Sequence, residues 1–176
     1  VLRLFAGLTV FTAVAEVATR ATRLIQDNAN LVKRVVFPLD LLGVALIMQV
    51  GLHTLLQMAV LGLLIVAVGD GWRASWLWLP VALAWAVVLQ YTLALLLSAL
   101  GCYLRDLQHL VPVAMTGLMF LSPVFYPVDA APPALAFILS INPLSAPIEL
   151  FRAAWFGDAF DLQSGLLQAL GLGLVL

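Results

Sequence analysis

The residues that could do chemistry in this chain are few. Its two histidines, His53 and His109, lie far apart in sequence and in different segments. No HExxH or GxSxG pattern occurs, and no pair of carboxylates falls inside an apolar run. Cys102 is alone, which excludes an intrachain disulfide and a cysteine-based zinc site. A phosphate-cradling loop needs GxxxxGK followed by Ser or Thr, whereas the one lysine, Lys33, follows DNANLV. The chain therefore carries no P-loop of its own. What remains is polar rather than catalytic. Gln49, His53 and Gln57 recur at a spacing of four and form one stripe on a helix, either bonded to neighbouring helices or lining a route for a hydrophilic substrate. Tyr91 is a further candidate for that route.

The elements that must position these residues are membrane helices. The chain has 176 residues, 64% hydrophobic and 10% charged, whereas soluble domains carry about 25% charged residues. A net charge of −1 without a basic run argues against nucleic acid as a partner. Residues 41–69, 74–104 and 107–128 carry no charge. A spanning helix needs about 20 residues, so full spans are expected at roughly 41–68, 76–102 and 108–128, with a shorter or cut run at each end. Glu16 and Arg20 stand in the favourable order for a helical ion pair near the end of the first run.

The stretch 130–148 is uncharged but punctuated by Pro132, Pro133, Pro143 and Pro147. It predicts two short helices, roughly 133–141 and 146–156, too short to cross and lying at or dipping into one membrane face. Glu149 and Arg152 are placed to pair on the second. Ser122-Pro123 and Tyr126-Pro127 interrupt the run before them, leaving carbonyls in need of new partners. Arg20, Arg23, Lys33, Arg34 and Arg105 fall on one side, against Arg3, Arg73 and Arg152 on the other. The positive-inside bias places 20–40 and 103–107 in the cytoplasm, and 69–76 and 129–161 outside. Ala94, Ser98 and Cys102 predict close helix packing, as do Gly165, Ala169 and Gly173. Trp72, Trp76, Trp78 and Trp85 predict an interfacial aromatic belt. Arg105-Asp106 reads as an interfacial ion pair or as a contact for a cytoplasmic partner or a lipid headgroup.

NANLVKRVVFP, the LRDLQ turn, LSPVFYPV and INPLSAPIELFRAAWFG, in this order and spacing, resemble the membrane subunit of ABC-2-type exporters. Within these, the likeness is to the polysaccharide and polyol-phosphate export permeases that move O-antigen, capsule or teichoic-acid chains. It covers the chain from about Phe5 onward. The resemblance implies an all-α polytopic bundle forming one transmembrane domain over 1–176, a homodimer in a bacterial inner membrane, and separate cytoplasmic ATPase subunits that hold ATP and Mg, with no cofactor in this chain. It implies a six-helix subunit of which this is a fragment truncated at both ends. The substrate implied is a lipid-linked glycan, in a membrane-lipid setting. Asp27, Asn28, Asn30, Leu31, Lys33, Arg34, Phe37 and Pro38 would form the ATPase-coupling loop. Pro123, Tyr126, Pro127, Asn142, Pro143, Glu149 and Arg152 would form an outer gate. Three alternatives stay open: an ABC-2 exporter of a drug or small lipid, an integral membrane glycan or lipid transferase, and a secondary transporter, which would more often show inverted repeats and an ionisable group at mid-membrane, where His53 is the one candidate. The transferase would need paired acidic or histidine residues at a membrane face.

Overall fold

The computed structural model describes residues 1–29, 40–68, 73–125, 137–139 and 141–158, of which Asp40 is described by its backbone alone. Asn30, Leu31, Lys33, Arg34, Phe37, Pro38, Trp72, Tyr126, Pro127, most of the 133–141 piece and the last apolar run lie outside the described residues.

Every element described is helical. Helix α1 covers Leu2–Ala21, α2 is the single turn Leu24–Asp27, and α3 covers Asp40–Ala67. A 3-10 turn, Ala74–Trp78, leads into α4, Leu79–Tyr103, with Pro80 in its first turn, where a missing N–H costs nothing. Helix α5 covers Leu107–Phe120 and α6 covers Ser145–Phe156. Three helical stretches, Leu2–Ala21, Leu41–Ala67 and Ala74–Tyr103, are long and apolar enough to cross a membrane.

Two expectations change. The first run, expected to be short or cut, is a helix of 20 residues. It continues through Glu16 and Arg20 because the two pair at 2.7 Å and partly neutralise each other. The run expected to cross at 108–128 is helical only to Phe120 and turns at residues 121–124. At 1.5 Å per residue its 14 residues reach about 21 Å, short of the ~30 Å hydrocarbon core. Ser122-Pro123 stops it, since proline disfavours helix at the residue before it.

Helix α1 is the axis of the bundle and packs against α3, α4, α5 and α6. Near the Arg3 end, Val10 and Val14 meet Leu61 and Ile65 of α3, Ala86 and Leu89 of α4, and Phe151 and Trp155 of α6. Near the Arg20 end, Val17, Ala18 and Ala21 meet Leu46 and Val50 of α3, Ala94 and Leu97 of α4, and Val111 of α5. Hydroxyls within α1 bond back to its own carbonyls: Thr9 to Phe5 at 2.9 Å and Thr12 to Leu8 at 2.7 Å. In an apolar surrounding this removes the cost of a free hydroxyl.

The buried face of α4 is small-sided, through Ala82, Ala86, Ala94, Ser98 and Gly101. The expected stripe ends one residue early: Cys102 is exposed and Gly101 takes the packed place. A Cβ at Gly101 would collide with the Thr22 carbonyl oxygen and stand 3.0 Å from the Thr22 carbonyl carbon. Close packing of α4 on the end of α1 requires glycine there. By contrast, α3 leaves Met48, Leu52, Leu56, Val60 and Leu63 exposed, a face suited to lipid or to another protein surface.

Candidate functional site

The two ends of the bundle carry separate polar constellations. At the Arg3 end, the interruption after α5 is held by side chains from the α6 region. Arg152 Nη2 donates to the carbonyls of Pro123 at 2.7 Å and Val124 at 2.8 Å. These are the carbonyls that a broken helix leaves unserved. Arg152 is only 7% exposed; Nη2 spends its donors on the break, while Nε is buried without a partner among the described residues. Desolvation draws its pKa below the ordinary guanidinium value, Glu149 opposing that shift, and the group remains cationic. Glu149 is thus close enough to be felt, while the recorded hydrogen bonds of Arg152 go to the break. Gly7 of α1 makes the space, since a Cβ there would come 2.8 Å from Arg152 Nη2 and 3.2 Å from the Val124 oxygen.

Asn142 holds the other side of the break. Its Nδ2 donates to the Leu121 carbonyl at 3.0 Å and the Ser122 hydroxyl at 2.9 Å, and its Oδ1 accepts from the Leu144 N–H at 3.0 Å. Asn142, which precedes the Pro143 that punctuates this stretch, thus bridges segments about twenty residues apart. The C-terminal end of α6 is clamped as well. Arg73 Nη1 donates to the Phe156 carbonyl at 2.6 Å, placing a cation where the helix dipole is negative. Gly157 ends the helix in the left-handed region, φ 72°, with its N–H on the Ala153 carbonyl. Arg3 grips Asp158 with two bonds, 2.8 and 3.0 Å, and lies over the Phe156 ring. Trp76 turns inward, contrary to a purely interfacial belt: its Nε1 donates to the Trp155 carbonyl at 3.3 Å and its ring meets Trp155 edge-on. The indole needs a hydrogen-bond partner and finds it on α6. Trp78 is exposed.

At the Arg20 end, Gln26 Nε2 donates to the Gly101 carbonyl at 2.8 Å, tying α2 to the last turn of α4. Asn28 Nδ2 bonds the Leu24 carbonyl within its own turn. Asp27 is exposed. Arg105 and Asp106 are exposed in the turn between α4 and α5, and no ion pair joins them among the described residues.

The stripe on α3 is exposed along its length, through Gln49, His53 and Gln57. His53 Nδ1 lies 3.9 Å from Glu16 Oε1, so the stripe borders the Glu16–Arg20 pair of α1. Gln49 lines an open cleft of about 580 Å³ with Arg20, Arg23, Asp27, Asn28 and Gln108. Tyr91 instead approaches α3 near Gly43, outside that cleft. Sequence reading missed the cleft, which joins α1, α3 and α5. Of its lining, the sequence singles out Gln49, Asp27 and Asn28, but for separate roles and not as one site with Arg20, Arg23 and Gln108. Among the described residues no cluster of metal-binding side chains is present.

A polytopic helical membrane protein with a broken helix pinned at one end and a polar cleft at the other is the class these features define. The ABC-2 type transporter family matches residues 2–156, and the chain belongs to that family. Similar proteins include two named O-antigen export system permease protein RfbA from Klebsiella pneumoniae. They are 28% and 27% identical over 161 residues, which is 91% of this chain and 62% of each relative. A protein of the same name from Myxococcus xanthus is 26% identical over 136 residues, 75% of this chain and 52% of that protein. The chain thus spans about 62% of the length of the Klebsiella relatives.

Proposed function

We propose that this chain is the membrane core of a permease subunit in an ATP-driven exporter that moves a lipid-linked polysaccharide or polyol phosphate out of the cytoplasm. Two copies would form the pathway in a bacterial inner membrane. ATP and Mg would be bound by separate cytoplasmic ATPase subunits pressing on the segment that includes Asp27 and Asn28. The Arg20 end would face the cytoplasm and the Arg152 end the outside. The family match and relatives named for O-antigen export support this reading. The observation that carries it is the polar cleft at the Arg20 end, bounded by Gln49 of the exposed α3 stripe: a hydrophilic surface beside apolar helices suits a substrate with a hydrophilic body and a lipid anchor.

The test uses cells that make a lipid-linked O-antigen but lack their own permease. The full-length protein is supplied with its ATPase. Surface glycan is measured on intact cells with an antibody, and lipid-linked glycan by extraction. Surface glycan should appear, and should depend on a hydrolysis-competent ATPase. Retention of all glycan inside cells that hold the assembled complex would overturn the reading. Topology is checked separately: a cysteine at Ala74 should react with an impermeant reagent from outside, and one at Arg105 only from the cytoplasmic side.

A further inference from the structure

Helix α1 does not run straight into α2. It ends at Ala21, and Thr22 and Arg23 turn the chain before Leu24. Helix α2 is then a single turn of 4 residues. One turn fixes several dihedrals for very few hydrogen bonds and does not hold itself. Left to its own backbone, this joint would flex, and a force applied at Asp27 and Asn28 would be absorbed in it.

The joint is braced from α4. The Thr22 carbonyl lies against Gly101, so close that only a glycine fits there. Leu24 packs on the cluster to which Ala94 and Leu97 contribute. Gln26 Nε2 donates to the Gly101 carbonyl at 2.8 Å. That carbonyl needs a donor. Helix α4 ends at Tyr103, and Leu104 is extended, φ −117° and ψ 95°, after giving its N–H to the Leu100 carbonyl at 2.9 Å. Gly101 is thus among the last four residues, whose carbonyls lack a donor within the helix. Gln26 supplies one at the negative end of the helix dipole. Gln26 is itself exposed, so its bond is no part of the core.

The opposite end of α4 is fastened too. The 3-10 turn and α4 form one stretch of 30 residues, Ala74–Tyr103. The α-helical part has 25 residues, about 38 Å. At its start Trp76 Nε1 donates to the Trp155 carbonyl and Arg73 Nη1 to the Phe156 carbonyl. Helix α4 is therefore a rod tied to α2 at one end and to the last turn of α6 at the other.

We infer that Gln26 is the strut that locks the α1–α2 joint onto α4, so that a displacement of α2 passes along α4 to α6. The inference rests on the export reading, in which an ATPase presses on the segment with Asp27 and Asn28. It adds the residue through which that push enters the bundle and the helix that carries it. Gln26 is a positioning residue and touches neither ATPase nor substrate in this role. Helix α1 is the competing route, since it also reaches α6. Between α1 and α2, however, stands the two-residue turn, and Gln26 bypasses it. Rigid elements joined by specific bonds are what carry such coupling.

The test follows amide hydrogen exchange in the full-length protein assembled with its ATPase in nanodiscs, with and without a non-hydrolysable ATP analogue. Gln26→Ala removes the donor. Gln26→Glu keeps the length, but its carboxylate only accepts; Gln26→Lys keeps a donor. Loss of the donor should speed exchange at residues 24–28 about fivefold, the scale of one hydrogen bond. In the parent, the analogue should change exchange at residues 73–78. That response should shrink severalfold in Gln26→Ala and Gln26→Glu and return in Gln26→Lys. Melting temperature and ATPase association should match the parent in all three. A merely structural Gln26 would lower the melting temperature and leave the response at 73–78 in place, which overturns the strut. An unaltered response in Gln26→Glu with parental melting also overturns it and assigns the push to α1. Surface glycan in cells, with no ATP-linked response at 73–78 in the parent, sinks the strut and leaves the transport reading standing. A response that needs the Gln26 donor, with no surface glycan, does the reverse.

Discussion

The two ends of the bundle treat their arginines differently. At the Arg152 end all three are committed. Arg3 takes Asp158, Arg73 the Phe156 carbonyl, and Arg152 two carbonyls of the broken segment. At the other end Arg20 is committed to Glu16, whereas Arg23 and Arg105 stay exposed without ion pairs among the described residues. The same side chain thus serves as a structural staple at one face and as an available charge at the other. A topological count of Lys and Arg treats both kinds alike. Only the available ones are free to meet anionic headgroups or a partner, and they sit at the end expected to be cytoplasmic.

The sharpest way to break this contrast is Arg152→Met. It keeps much of the volume and strands two buried carbonyls, each costing about 1–3 kcal/mol, so a loss of about 2–6 kcal/mol is expected. Thermal melting of the purified protein would read it, and a change below 0.5 kcal/mol would show that the staple is dispensable. Next in size is Gly101→Ala at the opposite end, where the new methyl group meets the Thr22 backbone; overpacking of this kind costs about 1–3 kcal/mol. Gly51→Ala is its control. Nothing lies within 4 Å of a Cβ there, and helix propensity favours alanine by about 0.5–1 kcal/mol, so its melting temperature should not fall. The smallest effect is expected for Arg3 and Asp158, whose side chains are 61% and 37% exposed. A double-mutant cycle with Arg3→Gln and Asp158→Asn should give a coupling of about 1 kcal/mol or less, weaker in salt. A coupling as large as the Arg152→Met loss would mean that the exposed clamp, not the buried one, holds this end.

Much of the helical framework was legible because charge-free runs in a membrane protein are long and unambiguous. The spans expected at 41–68 and 76–102 coincide closely with Leu41–Ala67 and Ala74–Tyr103. The N-terminal helix was under-read in length although the Glu16–Arg20 pair near its end was itself expected; the helix carries the pair as one neutral unit and runs on to Ala21. The span at 108–128 was over-read because the count of uncharged residues outweighed Ser122-Pro123, although proline chemistry was itself on view. Individual site residues fared according to range. The break at Pro123 and its need for partners follow from local chemistry. That the partner is Arg152, or that Arg3 meets Asp158, joins residues far apart in the chain and has no local signal. The glycines at 7 and 101 read as ordinary helix residues until the neighbouring backbone is in place.

Helix α6 has a consequence for how the protein is made. It has 12 residues, about 18 Å, is buried on nearly every side and carries an arginine. Such a segment is too short and too polar to be recognised as a span and released into lipid on its own. It can enter only a seat already assembled from α1, α4 and the 3-10 turn, with Gly7 leaving room and Trp76 waiting for the Trp155 carbonyl. All three precede α6 in the chain and leave the ribosome before it. The order of synthesis thus lets the seat form before its occupant arrives.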